Sequence, residues 1–235
     1  MGNDLQLYTK LLGLPLFQGL GKADLEEVVA HTKFGFHKIE AGKDIVSEND
    51  ICNRLHFLLN GEIEVITTSA SHGYQIKEEL VAPELLQPER LFGLTQRFTK
   101  TFKTLTVCNV LCVEKDEVMR LSDAYMIFRI NLLNMLSTYA QKNERMLLRR
   151  YPESLEGRVI RFIADRCLRP AGKKTVKIKM RQLALELNDS RLDISKALNH
   201  LEENGVVALR RNYIDIERLE VALQYPTINN NIKYD

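Results

Sequence analysis

Lys179-Met-Arg-Gln-Leu-Ala-Leu-Glu-Leu-Asn-Asp-Ser-Arg-Leu-Asp-Ile-Ser-Lys-Ala-Leu-Asn-His-Leu-Glu-Glu-Asn-Gly205 reads as two short amphipathic helices joined by a tight polar turn. Leu183, Ala184 and Leu187 recur at helical spacing in the first helix, and Ile194, Leu198 and Leu201 do so in the second, so each has one apolar stripe to bury against the other. Asn188 and Asp189 break the period between them. Ser190 stands where an N-cap is needed, with Asp193 three residues on as a short capping box and as a negative charge at the positive helix end. The second helix is therefore expected to begin at about Arg191. Such a pair is a helix-turn-helix, whose second helix enters the major groove of duplex DNA with its first turns against the base edges. Its exposed side there carries Arg191, Leu192, Ser195 and Lys196. Arg191 is the first choice for a base contact, because a guanidinium meets the O6 and N7 acceptors of guanine together, and Lys196 is the second. Leu192 offers an apolar contact to a thymine methyl. The bland alternative is that these charges solvate a surface helix.

The residues that follow favour the first reading. Gly205 closes the helix in the C′ role, and residues 206–209 and 213–216 are two short β-prone runs separated by Arg210, Arg211 and Asn212. This is a hairpin wing with a basic tip, and Arg210 and Arg211 there suit phosphate contacts, as does Arg181 in the first helix. Residues 175–179 alternate and can pair with the wing as a third strand. A winged helix-turn-helix over about residues 154–223 is the expected result.

Composition agrees. The chain of 235 residues has a net charge of +2, but residues 150–235 hold 16 Lys or Arg against 12 Asp or Glu, while the remainder holds 17 against 19. An excess this small leaves affinity to placement and dimerisation more than to bulk charge. The length admits two domains and the 45% hydrophobic content supports a core in each. With no apolar run of about 18 residues and no signal-peptide pattern, a soluble cytoplasmic protein without a membrane partner is expected. Cys52, Cys108, Cys112 and Cys167 are scattered and lack metal-site spacing, so buried thiols are expected.

The first half has a different texture. Helices are expected near residues 4–12 and 22–31, and then strands at 34–39, 44–46, 55–59, 62–67, 75–80 and 104–114, a series that suggests a sandwich, barrel or jelly roll. Asn60-Gly61 is the strongest hairpin signal. A long helix is expected over residues 123–150, with Ile130, Leu133, Ala140 and Leu147 on one stripe and Leu132, Leu136, Tyr139 and Met146 on another. Two stripes imply two partners, the β domain and the same helix of a second subunit, with simple intramolecular packing as the alternative because Ser137 and Glu144 interrupt the first seam. Pro152 ends the helix. The division is thus an effector domain at 1–122, a dimerisation helix at 123–150, a DNA-binding domain at 151–225 and an Asn-rich, loosely ordered tail at 226–235.

In this order of parts the chain resembles the Crp/Fnr superfamily of transcription regulators. The carrying residues are Leu16-Phe-Gln-Gly-Leu20, Ile39-Glu-Ala-Gly-Lys43, Leu55-His-Phe-Leu-Leu-Asn-Gly-Glu-Ile-Glu-Val65, Cys108-Asn-Val110, Glu156-Gly-Arg158, Leu183-Ala184 and Ser190-Arg191. The resemblance implies an α+β fold: a double-stranded β-helix or jelly roll that binds cyclic nucleotides or another small effector, a dimerisation helix, and a winged helix-turn-helix. It implies a homodimer on a pseudo-palindromic operator, with RNA polymerase as a further partner. Its ligand segment falls on residues 87–101, which makes Glu89, Phe92, Gly93, Arg97 and Thr99 pocket candidates, and the nucleotide-contacting pair of the long helix falls on Asn143 and Glu144. The arginine is displaced from the family's place, and a carboxylate at Glu144 would repel a phosphate, which argues against cyclic AMP. The iron–sulfur device of some relatives is not expected, because no cysteine precedes Cys52. His31, His37, His56 and His72 read as structural in preference to haem ligands.

No catalytic constellation is present. Gly19-Leu-Gly-Lys22 resembles a phosphate loop, but Ala23 occupies the place of the magnesium-binding hydroxyl, and the stretch reads as the start of a helix. A non-enzyme without cofactor is expected. The competing class is a winged helix that docks a protein or small molecule instead of DNA.

Overall fold

Strands whose side chains alternate build the first half of the molecule. In the computed structural model, which describes residues 8–225, residues 8–12 are helical and the expected tail at 226–235 lies outside the described residues. Helix α1 (Lys22–His31) leads into β1 (Phe34–Ile39), β2 (Asp44–Val46), β3 (Arg54–Asn60), β4 (Glu62–Thr68), β5 (Tyr74–Val81), β6 (Glu84–Leu85), β7 (Thr101–Thr104) and β8 (Cys108–Glu114). Helices α2 (Lys115–Ala124) and α3 (Met126–Leu148) follow, then α4 (Leu155–Ala164), β9 (Lys174–Ile178), α5 (Met180–Leu187), α6 (Arg191–Glu203), β10 (Ala208–Arg210), β11 (Tyr213–Ile216) and α7 (Leu219–Ala222). The fold is α+β. The chain forms two units: residues up to Ile63 with Leu80–Leu147, and Glu64–Glu79 with everything from Leu148 onward. β4 and β5 run from one unit into the other, so the outer half of their hairpin belongs with the C-terminal segment.

In the first unit β1, β8, β3 and β6 lie side by side in that order, and β2 pairs with β7. Phe17 packs its ring 6.0 Å from Phe57 and 5.3 Å from Phe128 at the start of α3, which fastens the helical elements to β3. Asn60-Gly61 makes no hairpin. It is a corner, because β3 and β4 belong to different sheets. A Cβ on Gly61 would lie 2.6 Å from Cys108 Sγ, so the glycine serves close approach to β8, and the Asn60 side chain accepts the Asn109 amide at 2.8 Å. The strand expected over 104–114 is two strands, since Leu105 and Thr106 turn aside to bond Glu62 O. The long helix begins at Met126 and not at residue 123, because Tyr125 is extended (φ −122°, ψ 105°) and closes α2, a helix the sequence reading missed. Leu132 is buried while Ile130, Leu133 and Leu147 are exposed, so α3 keeps one apolar stripe outside the core.

The second unit has the strand order β10-β11-β9-β5-β4. The expected third strand of the wing, β9, lies between β11 and β5, pairing Tyr213 with Lys177 on one side and Gln75 with Lys177 on the other. Ile76 of β5 joins Phe162, Val176, Leu183, Ile194, Leu198 and Ile214 in one buried cluster. Opposite each other in the β5–β9 ladder stand Glu78 and Lys174, both with fully buried side chains and 3.2 Å apart. Glu78 also accepts the amides of Leu168 (2.7 Å) and Arg169 (3.3 Å), and Lys174 donates to Ala171 O at 2.8 Å, so both charges are compensated. Removing one partner strands the other in the core. Glu78→Gln should therefore lose about 3–5 kcal/mol of stability in urea unfolding, and Glu78→Leu combined with Lys174→Met should lose less than either single change.

Candidate functional site

Ser190 launches α6 as its residue type requires. Its hydroxyl accepts the Asp193 amide at 3.0 Å and donates to the Asp193 carboxylate at 2.6 Å, and that bond, with Lys196 adding to it, holds the carboxyl below its usual range. The turn before it is pinned from α4, where Arg158 pairs with Asp189 and donates to Leu187 O at 3.3 Å. Ile194, Ala197, Leu198 and Leu201 are buried, which turns Arg191, Leu192 and Lys196 outward together and leaves Ser195 half-buried. Among the described residues Arg191 and Arg181 have no ion pair or side-chain hydrogen bond, and both are exposed. Lys196 lies 3.5 Å from Asp193 in an exposed pair, a contact weak enough to be exchanged for a phosphate.

The wing differs from the sequence reading in one respect. Arg210 donates to both oxygens of Asp215, at 2.6 and 2.9 Å, and stacks 5.0 Å from the Tyr213 ring centroid. The bond to Asp215 raises the guanidinium and lowers the carboxyl from their ordinary values. Thr175 holds the same carboxylate at 2.8 Å. Arg210 is thus spoken for, whereas Arg211 is exposed with no pairing among the described residues. The signal was available. In a hairpin turning at Arg211-Asn212, Arg210 opposes Tyr213, and Asp215 is the diagonal neighbour on the same face.

In the first unit the segment from Gln87 to Thr99 closes on itself. Gln87, buried and left-handed at φ 40°, donates from Nε2 to Thr99 Oγ1 at 2.7 Å and accepts the Thr99 amide at 3.1 Å. Glu89 Oε2 and Arg90 Nε are buried without hydrogen-bond partners among the described residues, and Glu89 Oε1 stands 3.9 Å from Arg90 Nε. Phe92 lies under the Lys115 ammonium at 5.0 Å, and Gly93 O accepts from Gln96. Arg97 points outward and donates to Asn49 O at 2.6 Å. Its neighbour Phe98 points inward, buried with its ring 5.7 Å from that of His56. Asn143 and Glu144 are exposed on α3, and among the described residues no hydrogen bond or ion pair joins them to this segment. Cys52, Cys108 and Cys112 are buried and free, and burial pushes the Cys52 and Cys112 thiols up to about 11, so these thiols stay protonated.

Residues 36–125 match the model of the family described as Cyclic nucleotide-binding domain. Comparison of the sequence with curated proteins finds no match. Among solved structures, the catabolite activator protein of Thermus thermophilus aligns at 19% identity over 91% of this chain and 99% of its own, with a TM-score of 0.52. A Crp/Fnr-family protein of Eubacterium rectale aligns at 17% identity over 90% of this chain and 98% of its own, with a TM-score of 0.53. The fold of this chain is that of these two proteins. At these identities the likeness is one of fold, and the chemistry of each site rests on this chain's residues.

The residues present in the segment from Gln87 to Thr99 do not fit a cyclic phosphate. The inward position is Phe98, the Arg97 guanidinium is directed away, Arg90 is matched by Glu89, Lys115 lies over Phe92 and donates to Gln96 Oε1 at 2.9 Å, and Gln87 and Thr99 satisfy each other. The same apolar surroundings lower the His56 imidazole from its ordinary 6.5 to about 4, through burial first and then the nearby Arg54 and His37. The unfolded chain takes up this proton below about pH 6.5 and the folded one does not. Stability should therefore fall by up to about 1.4 kcal/mol per pH unit between about pH 6.5 and 4, and the slope of the melting temperature in that window should shrink in His56→Phe.

Proposed function

We propose that the chain is a sequence-specific DNA-binding transcription regulator that works as a homodimer, with its first unit as sensor and its second as DNA reader. The observation that carries this reading is the outward, unpaired Arg191 in the first turn of a helix capped by Ser190, beside Leu192 and Lys196. Two such helices would enter successive major grooves about 34 Å apart on a pseudo-palindromic site. The exposed stripe of α3, with Ile130, Leu133 and Leu147, supports pairing with the same helix of a second copy. The effector of the sensor is not a cyclic nucleotide on this reading, since Arg97 is directed outward onto Asn49 O and Arg90 is matched by Glu89. The regulator acts by binding alone, without catalysis.

The test is selection of duplex DNA from a random pool. A palindromic consensus is expected, and its absence, with no salt-dependent shift on any duplex, would leave a protein-docking winged helix as the better reading. Arg191→Ala should cost about 1–3 kcal/mol and relax preference at one base position; uniform weakening on all sequences would remove it from base reading. At the wing, Arg211→Ala should lower affinity across sequences and reduce the salt slope by about one per subunit, and Arg210→Ala should change the slope less, because Asp215 already holds that charge.

A further inference from the structure

Strands β1, β8 and β3 carry Gly35, Cys112 and His56 abreast, Gly35 opposite Cys112 and Cys112 opposite His56, so the three stand in one row on one face of the sheet. Phe57 takes the other face, where it meets Phe17, while His56 sets its ring against Phe98. Residues paired across strands in this way hold their Cβ atoms about 4.5–5.5 Å apart, so their side-chain tips are within reach of each other. His56 Nδ1 is buried without a hydrogen-bond partner among the described residues, and the Cys112 thiol, buried as well, has no hydrogen bond there either. A Cβ on Gly35 would lie 3.3 Å from His37 Nε2 and 3.4 Å from Cys112 Cβ. The exposed His37 therefore leans over the glycine from the solvent side and closes on the same row. Next along the ladder, Leu58 and Val110 oppose each other, both buried. On the other side Arg54 and Glu114 match each other at 3.2 Å. The place thus holds one thiol and one imidazole nitrogen, neither of them satisfied, in apolar surroundings.

The donor set selects the ion it would take. Among the described residues no three His, Cys, Asp or Glu side chains are grouped to hold a metal ion, which leaves out the four-coordinate centre that structural zinc requires. Copper(I) is satisfied by two collinear ligands and favours sulfur and imidazole nitrogen. Charge points the same way, because one thiolate cancels a monovalent cation, whereas a divalent ion would leave a net charge beside Leu58, Val110 and Phe98. We infer that His56 Nδ1 and Cys112 Sγ are the two ligands of a copper(I) site inside the first unit. On binding, the sulfur–copper bond forms as the thiol gives its proton to water, the imidazole donates the Nδ1 lone pair with its own proton on Nε2, and copper keeps its oxidation state. The site rests on this geometry alone, and its part as the effector site of the sensor rests on the regulator reading above.

The test therefore leaves DNA out. The full chain, reduced and kept free of oxygen, is titrated with copper(I) in competition with bicinchoninate. One ion per chain is expected, and X-ray absorption at the copper edge should show one sulfur and one nitrogen in near-linear geometry. His56→Phe and Cys112→Ser should each lower the affinity by about a hundredfold, whereas Cys52→Ser and Cys108→Ser should leave it unchanged. His37→Gln should lower it far less, because the two ligands remain. Copper bound by two sulfurs, or bound undiminished by His56→Phe and Cys112→Ser, overturns the site, and so does zinc(II) that copper(I) does not displace. A loss in His37→Gln as large as that in His56→Phe puts the ion at the surface and overturns it as well. A chain that takes up copper(I) but shifts no duplex keeps this site and loses the regulator reading; one that binds its selected duplex but no copper(I) does the reverse.

Discussion

The Glu78–Lys174 pair is the constraint on which the second unit depends. Two opposite charges withdrawn from water are tolerable only when every remaining donor and acceptor is satisfied, and here the backbone of residues 168–171 supplies the missing partners. One interaction therefore sets three things: the β5–β9 register, the loop that follows α4, and the start of β9. A slip of one residue would turn Lys174 to the opposite face and expose Ile76 and Val176, so the buried cluster and the ion pair enforce the same register. Its consequence is that a piece of the β-roll's own hairpin becomes a structural member of the unit that carries α6 and the wing.

That membership explains what local patterns left hidden. Helix α6 was legible because its information is local: a cap at Ser190, a period of buried residues, and Gly205 beyond. β1, β2 and the three strands of the wing sheet were legible for the same reason, each being a short alternating run between turn residues. The Asn60-Gly61 signal misled because its local geometry suits a tight turn equally at a hairpin and at a corner, and only the distant packing of Cys108 against Gly61 decides between them. The break at Tyr125 leaves no Gly or Pro to announce it. The joining of residues 64–79 to residues 148 onward is a contact between segments about ninety residues apart, and no periodicity encodes it.

Among the site residues the same division holds. Arg191, Leu192 and Lys196 followed from helical period alone and stand outward together. Arg210, a candidate phosphate contact by its place at the wing tip, spends its charge on Asp215, which leaves Arg211 as the exposed arginine of the tip without a pairing among the described residues. An arginine's exposure is thus a weaker guide to a free guanidinium than the absence of a carboxylate at its diagonal neighbour. Among the described residues Arg181, Arg191, Arg211, Lys177 and Lys179 are exposed cations of the unit without an ion pair, whereas the buried Lys174 is matched by Glu78 and holds the fold together.

The sensor segment follows from its local backbone. At the isolated bridge between Ile51 and Arg97 the arginine is exposed and the next residue, Phe98, is buried, so moving the arginine by one position exchanges a guanidinium for a phenyl ring at the interior. Around that ring the surroundings are adjusted to match. His56 is held neutral, Gln87 and Thr99 close on each other, and Glu89 and Arg90 balance within the same turn. A pocket organised in this way rewards a neutral or apolar occupant, or its own closed state, over an anion, because a phosphate would have to displace two hydrogen bonds and meet an unsatisfied carboxylate oxygen. The exposed cations Arg181, Arg191 and Arg211, which have no ion pair among the described residues, lie in the second unit, and this distribution is the one the proposed DNA-binding reading requires.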